Sequence, residues 1–225
     1  VVSDDNSEKH MKIGIIGAGN MGAALGKLWA RAGHHVIFSY SRDENKLREL
    51  AAAAGDTARV GTVQAAVAES DVVLLAVWLP NLEALLQTAG SLDGKILITC
   101  VSGLQPDFTG QTIGIPTDLK LSVAETIQQL APTAKVVEAF NTTFAEILAS
   151  DSRQFGSDLP SVFYCGDDSE AKQVVSSLIE ECGYEAVDAG NLLVARTLET
   201  LATAWVQLAV SSQLFPNLAL KALRR

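Results

Sequence analysis

Apolar positions along the chain fall into short runs that alternate with helix-periodic stretches. Lys12–Ile16 is a short apolar run stopping at Gly17, which predicts a buried strand. Asn20–Ala32 repeats Met21, Leu25, Leu28 and Trp29 at helical spacing and ends at Gly33, a C-terminal cap residue. A strand at His35–Phe38 and a helix at Asp43–Ala54 follow, then a short strand at Arg59–Val60 and a helix at Thr62–Glu69 with Thr62 as N-cap. Asp71–Val77 is apolar after its first residue, as a strand covered on both faces should be. Beyond it the pattern predicts helix 81–89, strand 95–99, a looser region from Val101 to Lys120, helix 122–130, strand 135–139 and helix 142–149. Ser150–Pro160 reads as a flexible loop. Strand 161–165, helix 169–182, strand 185–188 and a long apolar helix from Asn191 to about Leu214, broken before Pro216, complete the series.

This alternation predicts an α/β fold: a Rossmann-type, doubly wound parallel sheet with a small C-terminal helical portion. Residues 11–149 form the dinucleotide-binding part in this reading. Residues 150–225, two strands and the long helix, complete the same compact unit. The long helix breaks the alternation and is expected to pack at the carboxyl edge or to form a subunit interface. Val1–His10 is polar, lacks the apolar centre of a signal peptide, and reads as a disordered extension or a cloning remnant before Met11.

Composition narrows the function classes. The 225 residues are 48% hydrophobic and 19% charged, an ordinary globular balance. A net charge of −9 leaves no basic footprint for nucleic acid. No run of 18 apolar residues suggests a membrane span. Cys100, Cys165 and Cys182 lack metal-ligand spacing and read as thiols in a reducing cytoplasm, so a cytoplasmic protein without a metal centre is expected.

The chemistry begins at Gly17-Ala18-Gly19-Asn20-Met21-Gly22, a G-x-G-x-x-G run after a predicted strand and at the start of a predicted helix. In a dinucleotide fold Gly17 makes the tight turn, Gly19 lets the pyrophosphate approach the backbone, and Gly22 lets helix and strand pack closely. The N–H groups of Asn20 and Met21 then point at the pyrophosphate. The alternative is an ordinary glycine turn. An NAD site usually has a carboxylate at the end of the second strand; here the strand runs Phe38-Ser39-Tyr40-Ser41-Arg42, with none before Asp43. Ser41 can donate to a 2′-phosphate and Arg42 offers it a charged planar fork, which favours NADP(H) over NAD. A solvated turn is the plainer alternative.

Ligands of open α/β sheets sit beyond the strand carboxyl ends. Val77, Trp78, Leu79 and Pro80 therefore border the expected cofactor path, with Val101 and Ser102 one strand on; loop packing competes for Trp78. Ala139 and Asn141 end the next strand, where Asn141 either hydrogen-bonds the nicotinamide amide or a substrate ring, or caps a helix starting at Thr142. His10, His34 and His35 lie away from these ends, so no catalytic side chain is expected.

Together the opening MKIGIIGAGNMG, the Ser41-Arg42 pair, KVVEAFNT at Lys135–Thr142, CGDD at Cys165–Asp168 and DAGNLLVARTLETL at Asp188–Leu201 resemble the coenzyme F-420-dependent NADP oxidoreductases. The cytoplasmic domain of the STEAP metalloreductases is similar over the same segments. The resemblance implies NADP(H), a shallow pocket for a flat acceptor such as coenzyme F-420 or FMN, and Ser41 and Arg42 on the 2′-phosphate. It also implies direct hydride transfer between stacked rings, which needs positioning more than an acid–base residue. The chain departs from that pattern by one extra residue before Ser41, by lacking a threonine in the glycine loop, and in the segment 101–120.

GAGNMG also resembles the opening of pyrroline-5-carboxylate reductase, so a reductase of small imines or oxo acids is the second reading; a non-enzymatic NADP sensor is the third. The expected partners are a small-molecule redox acceptor and, through the final helix, a second copy in a homodimer.

Overall fold

The computed structural model describes residues 10–101, 103, 105–106, 113–114 and 121–225. The reading of Val1–His10, except at His10, that of Ser102, and that of most of Val101–Lys120 fall outside these residues. In order, the elements are β1 (Lys12–Ile16), α1 (Asn20–Arg31), β2 (His35–Ser39), α2 (Glu44–Ala54), β3 (Ala58–Val60), α3 (Val63–Ala68) and β4 (Val72–Leu75). Then come α4 (Leu79–Thr88), β5 (Ile96–Thr99), β6 (Gln105–Pro106), β7 (Ile113–Gly114), α5 (Val123–Leu130), β8 (Lys135–Glu138) and α6 (Ala145–Leu148). The chain closes with β9 (Ser161–Gly166), α7 (Ser169–Glu181), β10 (Glu185–Asp188), a 3-10 turn (Leu192–Val194) and α8 (Ala195–Ser211).

Eight strands form one sheet in the order β10-β9-β8-β5-β4-β1-β2-β3, and β6 pairs with β7 apart from it. The chain winds outwards from β1 in both directions, so the switch point lies between β1 and β4. All pairings in the large sheet are parallel except one. β8 and β9 run antiparallel, with Val137 opposite Gly166 and Glu138 opposite Cys165. The fold is therefore the Rossmann-like α/β class, with a correction at this one junction. α6 has only four residues, rising about 6 Å along its axis. It cannot carry the chain back across the sheet as a full crossover helix would, and β9 starts from the edge where β8 ended.

Alternating strand residues feed two apolar layers. Ile13, Ile15 and Phe38 pack with Leu25 and Trp29 of α1, Leu47 of α2 and Leu178 of α7. Ile16, Val73 and Leu75 pack with Leu82 and Leu85 of α4, Ile127 of α5 and Leu198 of α8. The Trp29 indole N–H donates to the Leu178 carbonyl at 3.0 Å. His34 is buried at the amino edge, where Nδ1 accepts from the Met11 N–H at 3.0 Å and Nε2 meets Glu181 at 2.6 Å; its role is structural.

Close approach of α1 to the sheet needs Gly26. A Cβ there would lie 2.4 Å from Cε1 of the fully buried Phe38 ring. Gly26→Ala gains about 1 kcal/mol of helix propensity but forces the ring aside, at a cost of about 1–3 kcal/mol. We expect a lower urea midpoint; an unchanged or higher one would contradict this packing.

Several boundaries differ from expectation, two of them with a plain cause or consequence. α4 starts at Leu79, two residues early, because Pro80 lacks the N–H that an N-terminal turn leaves unpaired. The long final helix begins as a 3-10 turn and becomes α-helical at Ala195. α8 is tied to α5 by Arg196, whose Nε and Nη2 donate to Glu125 at 2.7 and 2.6 Å. Arg196, with burial opposing and Ser122 helping, holds the Glu125 carboxyl down at about 2. The contribution of the pair is thus present above the ordinary value of 4.5 and is lost as pH falls through about 2. Arg196→Ala should cost roughly 1.5–3 kcal/mol at neutral pH, the scale of a hydrogen-bonded charge pair. The gap from the parent should narrow in urea titrations as pH falls below 4.5 and close below about pH 2; a gap that persists there would refute the assignment.

Candidate functional site

The carboxyl ends of β2, β1 and β4 open onto a cleft of about 470 Å³. Gly17, Gly19, Ser41, Arg42, Val77 and Trp78 all line it. Each glycine's surroundings match its place in the turn. Gly17 has φ +113°, and a Cβ on it would sit 2.2 Å from the Ala76 carbonyl oxygen. A Cβ on Gly22 would sit 2.0 Å from the Gly17 carbonyl oxygen, so Gly22 serves packing. Gly19 is different: its Cβ would meet nothing within 4 Å among the described residues.

Gly19 is also the N-cap of α1, with no side-chain cap and no acidic residue in the first turn. The N–H groups of Asn20 and Met21 are thereby left to an outside acceptor. α2, α3, α5 and α7 by contrast are capped by Asp43, Thr62, Ser122 and Asp168. A pyrophosphate fits the α1 terminus by geometry and by the helix dipole.

The second corner of the cleft is built where β2 leaves the sheet. Ser39 O accepts from Gly17 N at 3.1 Å and Tyr40 O from Ala18 N at 3.2 Å, coupling this corner to the glycine turn. Tyr40, just before Ser41, takes a left-handed conformation at φ 60°. Ser41 Oγ accepts from the Asp43 N–H at 3.1 Å, so its own hydroxyl hydrogen is left to donate outwards. Asp43 also lines this corner, with its Oδ1 accepting from the N–H groups of Asn45 and Lys46. Lys46 lines the cleft one turn into α2, alongside Arg42. Two cations and a hydroxyl donor thus face one corner, a set suited to a phosphate dianion.

Sequence reasoning missed Tyr40, Lys46 and Asn81 as lining residues. Lys46 carried a readable signal, since it follows Ser41 by five residues and an N-cap at Asp43 turns it towards the same corner. Trp78 is 69% exposed, which removes core packing as its role and leaves a broad aromatic face at the cleft. Leu79 and Pro80 stand in the first turn of α4 and are not among the lining residues; Asn81 takes that place.

Ala139 and Asn141 are not brought into this cleft; they lie beyond it, at the end of β8. The helix-cap reading of Asn141 is corrected: α6 starts at Ala145, and the Asn141 amide donates to Glu138 instead. Asn141 Oδ1 is buried and has no partner among the described residues. Such an orphan acceptor at a strand carboxyl end suits an amide N–H of a bound ring. Cys100, Cys165 and Cys182 are free thiols, and burial pushes those of Cys165 and Cys182 up, away from nucleophilic use.

Residues 12–103 match the family described as NADP oxidoreductase, coenzyme F420-dependent. The chain is 30% identical over 190 residues to the metalloreductase STEAP3 of Rattus norvegicus, which covers 84% of this chain and 36% of that protein. It spans only about a third of that relative's length. A crystal structure from Arthrobacter sp. FB24, provisionally described as an F420-dependent NADP-reductase, superposes with TM-score 0.83 at 27% identity, covering 95% of this chain and all of that one. An imine reductase from Myxococcus stipitatus in complex with NADP+ shares the fold at TM-score 0.68 and 18% identity, covering 90% of this chain and 63% of that one.

Proposed function

We propose that this chain, whose residues 12–103 match the family described as NADP oxidoreductase, coenzyme F420-dependent, binds NADPH in the cleft beyond β1, β2 and β4. We further propose that it passes hydride to a flat acceptor of the deazaflavin or flavin class. The observation that carries this reading is the joining of two sites in one cleft: an uncapped helix terminus cradled by Gly19, and the Ser41-Arg42-Lys46 corner.

The pyrophosphate is held by the α1 N–H groups and the 2′-phosphate by Ser41, Arg42 and Lys46. Trp78 and Val77 border the path from adenosine to nicotinamide, whose C4 supplies the hydride. The nicotinamide half would then be held beyond β4, β5 and β8, on the side of Asn141. No side chain in this account moves a proton. The protein's part is to hold two rings in contact and to keep water away from them.

Among the described residues no helix is long and apolar enough to cross a membrane. A cytoplasmic location remains part of the proposal. So does a homodimer, suggested by exposed Leu208, Val210, Leu214 and Phe215 at the end of α8 and just after it.

Mixing the protein with NADPH and, in turn, a deazaflavin, FMN and a panel of imines and oxo acids tests the acceptor class through NADPH oxidation. Turnover with deazaflavin or FMN supports the proposal. Turnover with an imine or oxo acid alone would replace it by the second reading. Binding without turnover on any acceptor would point to a sensor.

A further inference from the structure

Behind Asn141 the core holds two glutamates. Glu138 ends β8 opposite Cys165 and is fully buried; Glu199, on α8, is 3% exposed. Burial disfavours even one bare carboxylate. Glu138 Oε1 accepts from Asn141 Nδ2, and Glu199 Oε1 accepts from the Ala124 N–H at the start of α5, at 3.2 Å. The second oxygen of each glutamate is buried and has no hydrogen-bond donor among the described residues. Two bare carboxylates acting on each other in the core are strongly disfavoured, so one proton is kept between them. Burial first, then the charge of Glu199, pushes Glu138 well above the usual carboxylate range. With the proton lying between the glutamates, Glu138 Oε1 is left as an acceptor. That settles which end of Asn141 faces it: Nδ2 is consumed and Oδ1 is turned away, unpartnered.

The turn that makes this possible is strained. Phe140, between Glu138 and Asn141, has φ 64°, with its ring fully buried against Trp29 at a 6.1 Å centroid distance. A left-handed backbone is unfavourable for a bulky residue and persists where the surroundings impose it. A buried acid pair, a strained turn and an orphan acceptor therefore converge on one amide at the carboxyl edge.

We infer that Glu138 and Glu199 are positioning residues that clamp Asn141 so that its Oδ1 accepts from the carboxamide N–H of the nicotinamide, setting the orientation of the ring. This rests on the reading that the chain binds NADP(H) with its nicotinamide towards β8.

The test uses equilibrium binding of NADP+ and of its 3-acetylpyridine analogue to the full chain. The analogue carries a methyl ketone in place of the carboxamide and has no N–H there. The parent protein should bind NADP+ about threefold to tenfold more tightly than the analogue, the worth of one hydrogen bond. Asn141→Ala and Glu138→Leu should bring that ratio to about one. Glu138→Gln should restore most of it, because its oxygen still accepts from Asn141 while its N–H replaces the shared proton. A merely space-filling role for Glu138 would not move the ratio between two ligands that differ at one group. Circular dichroism identifies any variant that fails to fold; if Glu138→Leu does, Asn141→Ala and Glu138→Gln decide. A ratio unchanged in Asn141→Ala, or already one in the parent, would overturn the inference while the dinucleotide site stands. Failure of the parent to bind NADP+ at all would overturn the dinucleotide reading and this inference with it.

Discussion

Gly19→Val is expected to abolish NADPH binding and leave the fold standing. The backbone at Gly19 is extended, with φ −72° and ψ −172°, a conformation any residue adopts. A Cβ there meets no protein atom within 4 Å, so the substitution adds no internal clash. It fills instead the space through which a pyrophosphate would reach the α1 N–H groups. Losing two or three charge-assisted hydrogen bonds, each worth about 1.5–3 kcal/mol, weakens binding by three orders of magnitude or more. Thermal unfolding of the ligand-free variant should stay close to the parent's. Gly17→Ala separates the two effects: its Cβ would strike the Ala76 carbonyl at 2.2 Å from a left-handed backbone, so it should lower stability as well. Retained NADPH affinity in Gly19→Val would place the dinucleotide elsewhere.

Arg42→Ala combined with Lys46→Ala should erase the preference for NADPH over NADH. Both cations line the corner where Ser41 offers its hydroxyl hydrogen, and the only cofactor group they would read is the 2′-phosphate. Removing both should raise the Kd for NADPH by about a hundredfold, on the scale of hydrogen bonds to charged groups. NADH lacks that phosphate and should change by less than about threefold. Each single variant should fall between. Because Arg42 and Lys46 are both exposed, stability should be nearly unchanged, and raised salt should weaken NADPH binding more than NADH binding. An equal loss for the two nucleotides would show that these cations do not read the 2′-phosphate.

Much of this arrangement was legible in the residues. The glycine run, the missing carboxylate before Asp43 and the Ser41-Arg42 pair are local patterns, and the elements that carry them follow from apolar periodicity. What escaped depends on partners distant in sequence or on chain direction. A short apolar strand such as β9 reads alike both ways along the chain, and its antiparallel pairing with β8 follows from a connection too short for a crossover helix. Asn141 looked like a helix cap because asparagine favours caps, whereas its partner, Glu138, lies behind it in the core. Glu138 and Glu199 come together from β8 and α8, and no local pattern announces a buried acid pair.

Calorimetric titration of the unmodified chain with NADPH and with NADH decides whether this cleft takes NADPH and reads its 2′-phosphate. We expect saturable one-site binding with NADPH tighter by about tenfold to a hundredfold, the contribution of charge-assisted contacts to one phosphate. Equal affinity for the two nucleotides, tighter binding of NADH, or no binding of either would contradict it.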